Sequence, residues 1–428
     1  MSVAIIVLNL LVLGAVAFLL WKKNPVLRFI YWPAWAFKLA AGLLLGLLYT
    51  YYYTVGDTFA FFNDGAVLAR LARRDFAAYL RFLWSGDQSL LQGAQLLAQQ
   101  SRSLFLAKTI SVINLATVDN YWLTSLYFST FSFAASCYLA TTVARYFPQL
   151  RIAAVIAFLL FPSVVFWSSG IIKESLAVAA LYFLAALLLE IWHRRQARVG
   201  MWLLALVAMW VLVSLRYYFA AVFLPVAFAT ACMRFLILPR IKPQHAAVEI
   251  VLWCVMLLFP LILASIIYPN FYPRNFLGVI VQNYEVFQHV SQPGDAIVFS
   301  GLAPQISSLL LHTPWAWVSG LFRPFPWEAG NVFQGLMAIE NAALLLTTVL
   351  ALPSLRRVGH SPQRLLLLAL IVYTGMLCVF ITLSTPNFGT LCRYRVGYVP
   401  FFVFLVLIPM LSPRSTVDPD ASGQASPR

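Results

Sequence analysis

The chain has 428 residues, 62% hydrophobic and only 10% charged, and its 29 Lys and Arg outweigh 14 Asp and Glu for a net charge of +15. So apolar a composition at this length excludes a cytosolic enzyme and a disordered scaffold. In a soluble domain the surplus charge would suggest nucleic acid, but here the cations sit in short patches between apolar runs, where they read as topology signals, and no nucleic-acid partner follows.

At ~20 apolar residues per crossing of a ~30 Å hydrocarbon slab, the runs suffice for about eleven helices. They fall near 3–20, 33–53, 121–144, 151–168, 173–191, 201–215, 217–235, 247–268, 333–352, 364–383 and 396–411. The expected fold is an all-α polytopic bundle, with 1–411 as a single transmembrane domain and 412–428 as a disordered Ser/Pro/Asp-rich tail. Lys22, Lys23 and Arg28 come after the first run, which therefore reads as an uncleaved span and not as a signal peptide. The patches Lys22/Lys23/Arg28, Arg145/Arg151, His193/Arg194/Arg195/Arg198, Arg234/Arg240/Lys242 and Arg356/Arg357/Arg364 all share one side if the first helix starts outside. That orientation makes the N-terminus extracytoplasmic and the tail cytoplasmic. Five scattered cysteines without ligand spacing predict neither a disulfide framework nor a structural zinc.

Two long polar stretches, 54–120 and 269–332, then face outside, where loops held by a scaffold carry most sites. Over 64–84 the residues Leu68, Leu71, Phe76, Tyr79, Leu80 and Leu83 approximate a helical stripe opposed by Arg70, Arg73, Arg74 and Arg81, which predicts a basic amphipathic helix on the membrane surface. The stretch 90–106 has similar spacing, and Pro304, Pro314, Pro324 and Pro326 mark turns in the second loop.

After the second span come Tyr51-Tyr52-Tyr53, then Gly56-Asp57-Thr58 and Asn63-Asp64-Gly65. Carboxylates among aromatic residues at a bilayer rim are costly unless used or paired. Glycosyl transfer from a lipid phosphate needs a carboxylate to take the acceptor hydroxyl's proton, while aromatic faces pack on sugar rings. Asp57 and Asp64 are the candidate catalytic residues; the alternative is that Asp57 caps a helix and Asp64 is solvated.

The bend 162–175 ends in Lys173-Glu174 at the start of an apolar helix, an anion-binding corner in one reading and a dipole-complementing Glu174 with a snorkelling Lys173 in the other. Arg216, followed by Tyr217, falls at the outer hairpin of an apolar tract, where it either pairs with phosphate or snorkels. Arg323 and Glu328 either join the binding site or brace the proline turn, and Glu340 inside the next span asks for a function or a partner. Arg393 and Arg395 cannot share a helical face but can both grip one diphosphate from an extended start. With Lys173 and Arg216 they make four outer cations with few counter-charges, which ask for an anionic ligand or for lipid headgroups.

The order of an apolar span, a Tyr-rich Gly-Asp-Thr with a second Asp, and an amphipathic helix resembles the first outer loop of the GT-C superfamily of membrane glycosyltransferases. In that superfamily this loop carries the catalytic acidic residue. Arg393-Tyr394-Arg395 followed by Val396 to Pro400 looks like the start of a C-terminal GT-C span, and the segments 162–174, 321–328 and 387–395 look like multi-span proteins of bacterial polysaccharide clusters. Here the acidic loop follows the second span, so an extra N-terminal helix is implied. That loop carries no adjacent Asp-Glu or Asp-x-Asp pair, which leaves the role of Asp64 and a divalent metal open.

The resemblance implies a transferase of a bacterial inner membrane that moves a sugar from a polyprenyl phosphate or diphosphate carrier to a glycan or lipid-linked acceptor. Asp57 would be the base. Lys173, Arg216, Arg393 and Arg395 would hold the leaving phosphate, and Tyr52, Tyr53, Phe61 and Trp167 would line the sugar site. Rival readings are an O-antigen or exopolysaccharide repeat-unit polymerase and a polyprenyl-lipid flippase or transporter, although the chain shows no pseudo-symmetric halves.

Overall fold

The computed structural model describes residues 3–53, 57–91, 95–98, 100–195, 198–241, 245–267, 272–357 and 363–411. Lys242, positions 54–56 and the tail expected at 412–428 lie outside them. Among the described residues every element is helical, with one isolated bridge between Ala296 and Asn387. In hydrocarbon each backbone amide must find its partner within the segment, and a helix satisfies that requirement.

α1 (Val3–Lys23) and α2 (Arg28–Tyr51) form a hairpin turned by Asn24, whose Nδ2 donates to Leu20 O at 2.7 Å, and by Pro25 opening a short 3-10 turn. The first polar stretch then folds as a helical cap of α3 (Asp57–Arg74), α4 (Phe76–Ser85) and α5 (Ser101–Thr117). The single helix expected over 64–84 is broken at Asp75, which caps α4 by accepting from Ala78 N at 2.9 Å. Leu68, Leu71 and Tyr79 of the expected stripe are buried, but Phe76 and Leu80 are exposed. The helix expected from position 90 starts only at Ser101 and runs on to Thr117. Asp64 is the reason: its carboxylate accepts from Leu97 N (2.9 Å) and Ala98 N (2.7 Å), so those amides bond to a side chain instead of to a preceding turn. Gly65 lets α3 close on α5, because a Cβ there would stand 2.4 Å from Ile110 Cγ2.

α6 (Tyr121–Tyr146), capped by Asn120, buries Ser125, Ser129, Ser132 and Ser136 along one face. The span expected over 151–168 is two pieces, α7 (Arg151–Val155) with a π-helical extension to Leu160, and α8 (Pro162–Trp167). Pro162 forces Phe161 out of the helical region and ends the first piece. α9 (Lys173–Trp192) follows a bend, and α10 (Val199–Cys232) continues through a π turn (Met233–Ile237) into α11 (Leu238–Ile241).

α10 is interrupted at Arg216, whose φ of −141° and ψ of 65° are not helical. Arg216 meets Glu174 at the start of α9, and Arg234 Nε donates to Trp192 O at its end (2.9 Å), so the second arm runs alongside α9 in the same direction. A straight helix from Val199 to Arg234 would be about 50 Å long. The short link between Trp192 and Val199 reaches only about 25 Å. The chain must therefore fold back at Arg216.

α12 (Ala246–Ile267), α13 (Pro273–Val290), α14 (Ile306–Phe322), α15 (Val332–Ala351), α16 (Arg364–Ser384), α17 (Phe388–Tyr394) and α18 (Val399–Leu411) complete the chain. The second polar stretch contains α13 and α14, and Pro314, expected in a turn, lies inside α14. α14 packs on α16 and α18 through Gly320, whose carbonyl accepts from Tyr398 Oη at 2.8 Å. Pro324 and Pro326 do occupy a turn.

Seven helices among the described residues are long and apolar enough to cross a membrane, eight if the pair α17 and α18, bent by 64°, makes one crossing. The eleven expected runs exceed this because α6 is rich in Ser and Thr, α7 and α8 are short, and both arms of α10 lie in one continuous helical tract. Described residues of several basic patches meet at one end of the bundle. There Tyr146 stacks on His193 at 3.9 Å, Arg145 and Arg195 both pair with Glu190, and Arg364 Nε donates to Glu249 at 2.7 Å.

Candidate functional site

At the opposite end the bend between α8 and α9 is fastened to α2 and α6. Gly170, at φ 67°, packs on Gly42 and donates its amide to Ser129 Oγ (3.0 Å), while Lys38 Nζ donates to Ser168 Oγ (2.5 Å). Thr58 in the first turn of α3 adds a bond to Ile171 O at 2.8 Å. This lacing fixes the first turn of α9, and with it Glu174.

Glu174 is the hub. Its Oε1 accepts from Arg216 and, at 2.8 Å, from Arg393 Nε. Arg393 Nη1 reaches Asp57 Oδ2 at 3.3 Å and Tyr49 Oη at 3.4 Å. The Tyr394 ring lies 4.2 Å below Arg216 and 5.7 Å from Arg393. Side-chain exposure rises along the chain of charges, from 0% at Glu174 and 4% at Arg216 to 13% at Arg393 and 59% at Asp57. The buried half is thus a neutralised frame, and the exposed half is where a ligand can exchange partners with it. Asp57 and Arg393 share a cavity of about 370 Å³ whose wall includes Tyr49, Tyr53, Trp167 and Tyr394.

The other expected site residues go elsewhere. Asp64 is buried in the cap with both oxygens on the backbone amides of Leu97 and Ala98; burial pushes its carboxyl above the ordinary Asp value, against the pull of those two amides. It is neither solvated nor beside Arg393. Lys173 Nζ donates to Ser103 Oγ at 2.9 Å and lies over Phe61, which takes Phe61 out of the cavity wall. Tyr52 packs on Phe333, and Tyr217 lies under Arg102. Arg323 and Glu328 form a two-pronged pair, with Glu328 also accepting from Phe325 N at 2.8 Å: they brace the proline turn.

Arg395 does not join Arg393. It is buried and donates to Asn341 Oδ1 (2.6 Å) and Glu340 Oε1 (3.2 Å), while Glu340 Oε2 accepts from Ser163 N at 2.8 Å. A helical turn separates the directions of residues two apart, so a shared grip on one diphosphate is not built here. Of the four expected cations three meet carboxylates, Arg216 and Arg393 at Glu174, Arg393 also at Asp57, and Arg395 at Glu340, while Lys173 meets Ser103. The anionic corner at the start of α9 is occupied by Glu174 itself.

Sequence reasoning missed Tyr49, Tyr394 and Lys38. The spacing of Tyr49 and Tyr53 was a usable signal, since residues four apart share a helix face, and their rings lie 5.1 Å apart. The charged neighbour of Asp57 is a guanidinium, and no group of three His, Cys, Asp or Glu that could hold a metal occurs among the described residues. Comparison with family models, curated proteins and solved structures gives no match to this chain.

Proposed function

We propose that this chain is a GT-C-like glycosyltransferase of eleven crossings in a bacterial inner membrane, acting on the extracytoplasmic face. The observation that carries this reading is the pairing of Asp57 and Arg393 at 3.3 Å in one aromatic-walled cavity. With the basic patches on the cytoplasmic side, this cavity lies outside and the N-terminus is extracytoplasmic. The crossings are α1, α2, α6, α7 with α8, α9, the two arms of α10, α12, α15, α16, and α17 with α18.

The donor is a sugar on a polyprenyl phosphate or diphosphate, and the acceptor is a glycan or lipid-linked hydroxyl. The acceptor oxygen attacks the anomeric carbon, the bond from that carbon to the phosphate oxygen breaks, and the hydroxyl proton passes to Asp57. Charge left on the phosphate meets Arg393, a contribution of a few kcal/mol for one well-placed donor. Glu174 and Arg216 position Arg393 and do not touch substrate. Before donor binding Asp57 occupies Arg393; an incoming phosphate displaces it and frees the base.

The test is transfer of radiolabelled sugar from a synthetic polyprenyl-linked donor by purified protein in liposomes. Asp57→Asn should slow transfer by roughly 10²–10⁴-fold, the range of a lost general base. Full turnover by Asp57→Asn would overturn the assignment of the base. Release of an oligosaccharide block from the carrier would favour the polymerase instead, and lipid movement without any change of glycan would favour a flippase.

A further inference from the structure

At the basic end the bundle opens into a second cavity, about 600 Å³, between α6, α9, the second arm of α10, α16 and α18. Its wall is built from side chains such as Leu139, Leu188, Phe223, Leu370 and Phe404. Tyr373 lines it too, but its hydroxyl is spent on Gly397 O at 2.8 Å. The volume falls in the range of ligand pockets, roughly 300–1,000 Å³, and such pockets take ligands of matching, mainly apolar character. A hydrocarbon chain is the matching occupant.

The polar lining residues besides Tyr373 are Tyr146, which stacks on His193, Gln149, and Gln363, which accepts from Trp192 Nε1 at 3.2 Å. The guanidinium of Arg234 lies 5.4 Å from the Trp192 ring, with its Nε bonded to Trp192 O. Arg234 stands on the π turn after α10, an irregularity that re-aims a side chain and recurs at functional positions. Among the described residues no carboxylate pairs with it. The carboxylates of this end are already engaged, Glu190 by Arg145 and Arg195, and Glu249 by Arg364.

From this juxtaposition of a mainly apolar cavity and a guanidinium that stands next to its edge, linked through Trp192 to the lining residue Gln363, we infer that the basic end binds an anionic phospholipid. One acyl chain fills the cavity and the phosphate rests against Arg234. Charge complementarity selects an anionic headgroup over a zwitterionic one. The site is separate from the Asp57 cavity and does not depend on the reaction assigned there.

The experiment uses the full chain in detergent with phosphatidylglycerol or phosphatidylcholine bearing the same photoreactive acyl chain, and maps labelled peptides by mass spectrometry. Phosphatidylglycerol should label the peptides around Leu188, Leu370 and Phe404 at least tenfold more than phosphatidylcholine does. Arg234→Gln should remove about tenfold of that preference, and Leu370→Trp, which fills the cavity, should remove the label. Competition on the unaltered chain guards against a misfolded variant: unlabelled phosphatidylglycerol should displace the probe. Equal labelling by both lipids, label confined to outward faces such as Leu8 and Leu11, or displacement by polyprenyl phosphate but not by phosphatidylglycerol would overturn the inference.

Discussion

The two ends of the bundle treat charge in opposite ways. At the Asp57 end four arginines of the bundle each have a carboxylate: Arg216 and Arg393 on Glu174, Arg393 also on Asp57, Arg395 on Glu340, Arg323 on Glu328. At the other end Glu190 pairs with Arg145 and Arg195 and Glu249 with Arg364, while among the described residues Arg151, Arg194, Arg198, Arg234 and Arg240 form no ion pair. A charge buried in protein must be neutralised there, whereas one at a headgroup surface is neutralised by lipid. Internal pairing therefore marks the end where the protein itself must shape a charged site, and cations without a carboxylate mark the end that leaves their charge to the surroundings.

The sharpest way to break this comparison is to remove one carboxylate from each end. Glu174→Gln strands Arg216 in the interior and should cost about 3–5 kcal/mol, the penalty for an unpaired buried charge. Glu190→Gln leaves two arginines that are 40% and 52% exposed, and should cost about 1 kcal/mol or less. Thermal unfolding of the purified variants checks the difference. Equal losses would mean that the ends do not differ in this respect.

A smaller effect tests the cap. Asp75→Ala removes the N-cap of α4 and should cost about 1 kcal/mol, read as faster proteolysis within the cap while the membrane helices stay intact. Smaller still is the pH dependence from Asp64. Its folded value lies above its unfolded one because of burial, so the native state holds the proton more tightly. Stability contributed at this position therefore falls as pH rises from the ordinary Asp range through the folded value. Amide exchange at Leu97 and Ala98 should quicken over that window, and Asp64→Asn should flatten the trend.

What could be read in advance was whatever depends on local pattern. Apolar runs marked the helices, the basic patches marked a common end, and Arg216 within an apolar tract marked the fold-back. What could not be read depends on partners far away in the chain. Asp57 and Arg393 are 336 positions apart, and Arg395 meets Glu340 across 55, so no spacing rule links them. The same holds for Arg216, Arg393 and Arg395, whose counter-ions Glu174 and Glu340 stand beside Lys173 and Asn341 in the chain and meet the arginines only in the fold. Asp64 misled for a related reason: its local setting gives no sign that it caps the amides of Leu97 and Ala98, and those two bonds both set the late start of α5 and withdraw Asp64 from the site. α14 hid because Ser, His and Pro314 interrupt its apolar run, although Gly320 shows it packed tightly into the bundle.

The central claim is that Asp57 and a ligand phosphate compete for Arg393. Binding of polyprenyl diphosphate to the purified chain, measured by calorimetry for the native sequence, Asp57→Asn and Arg393→Gln, tests it most directly. The account predicts that Asp57→Asn binds several-fold tighter even as transfer is lost, and that Arg393→Gln binds at least tenfold weaker. Weaker binding by Asp57→Asn, or unchanged binding by Arg393→Gln, would contradict it.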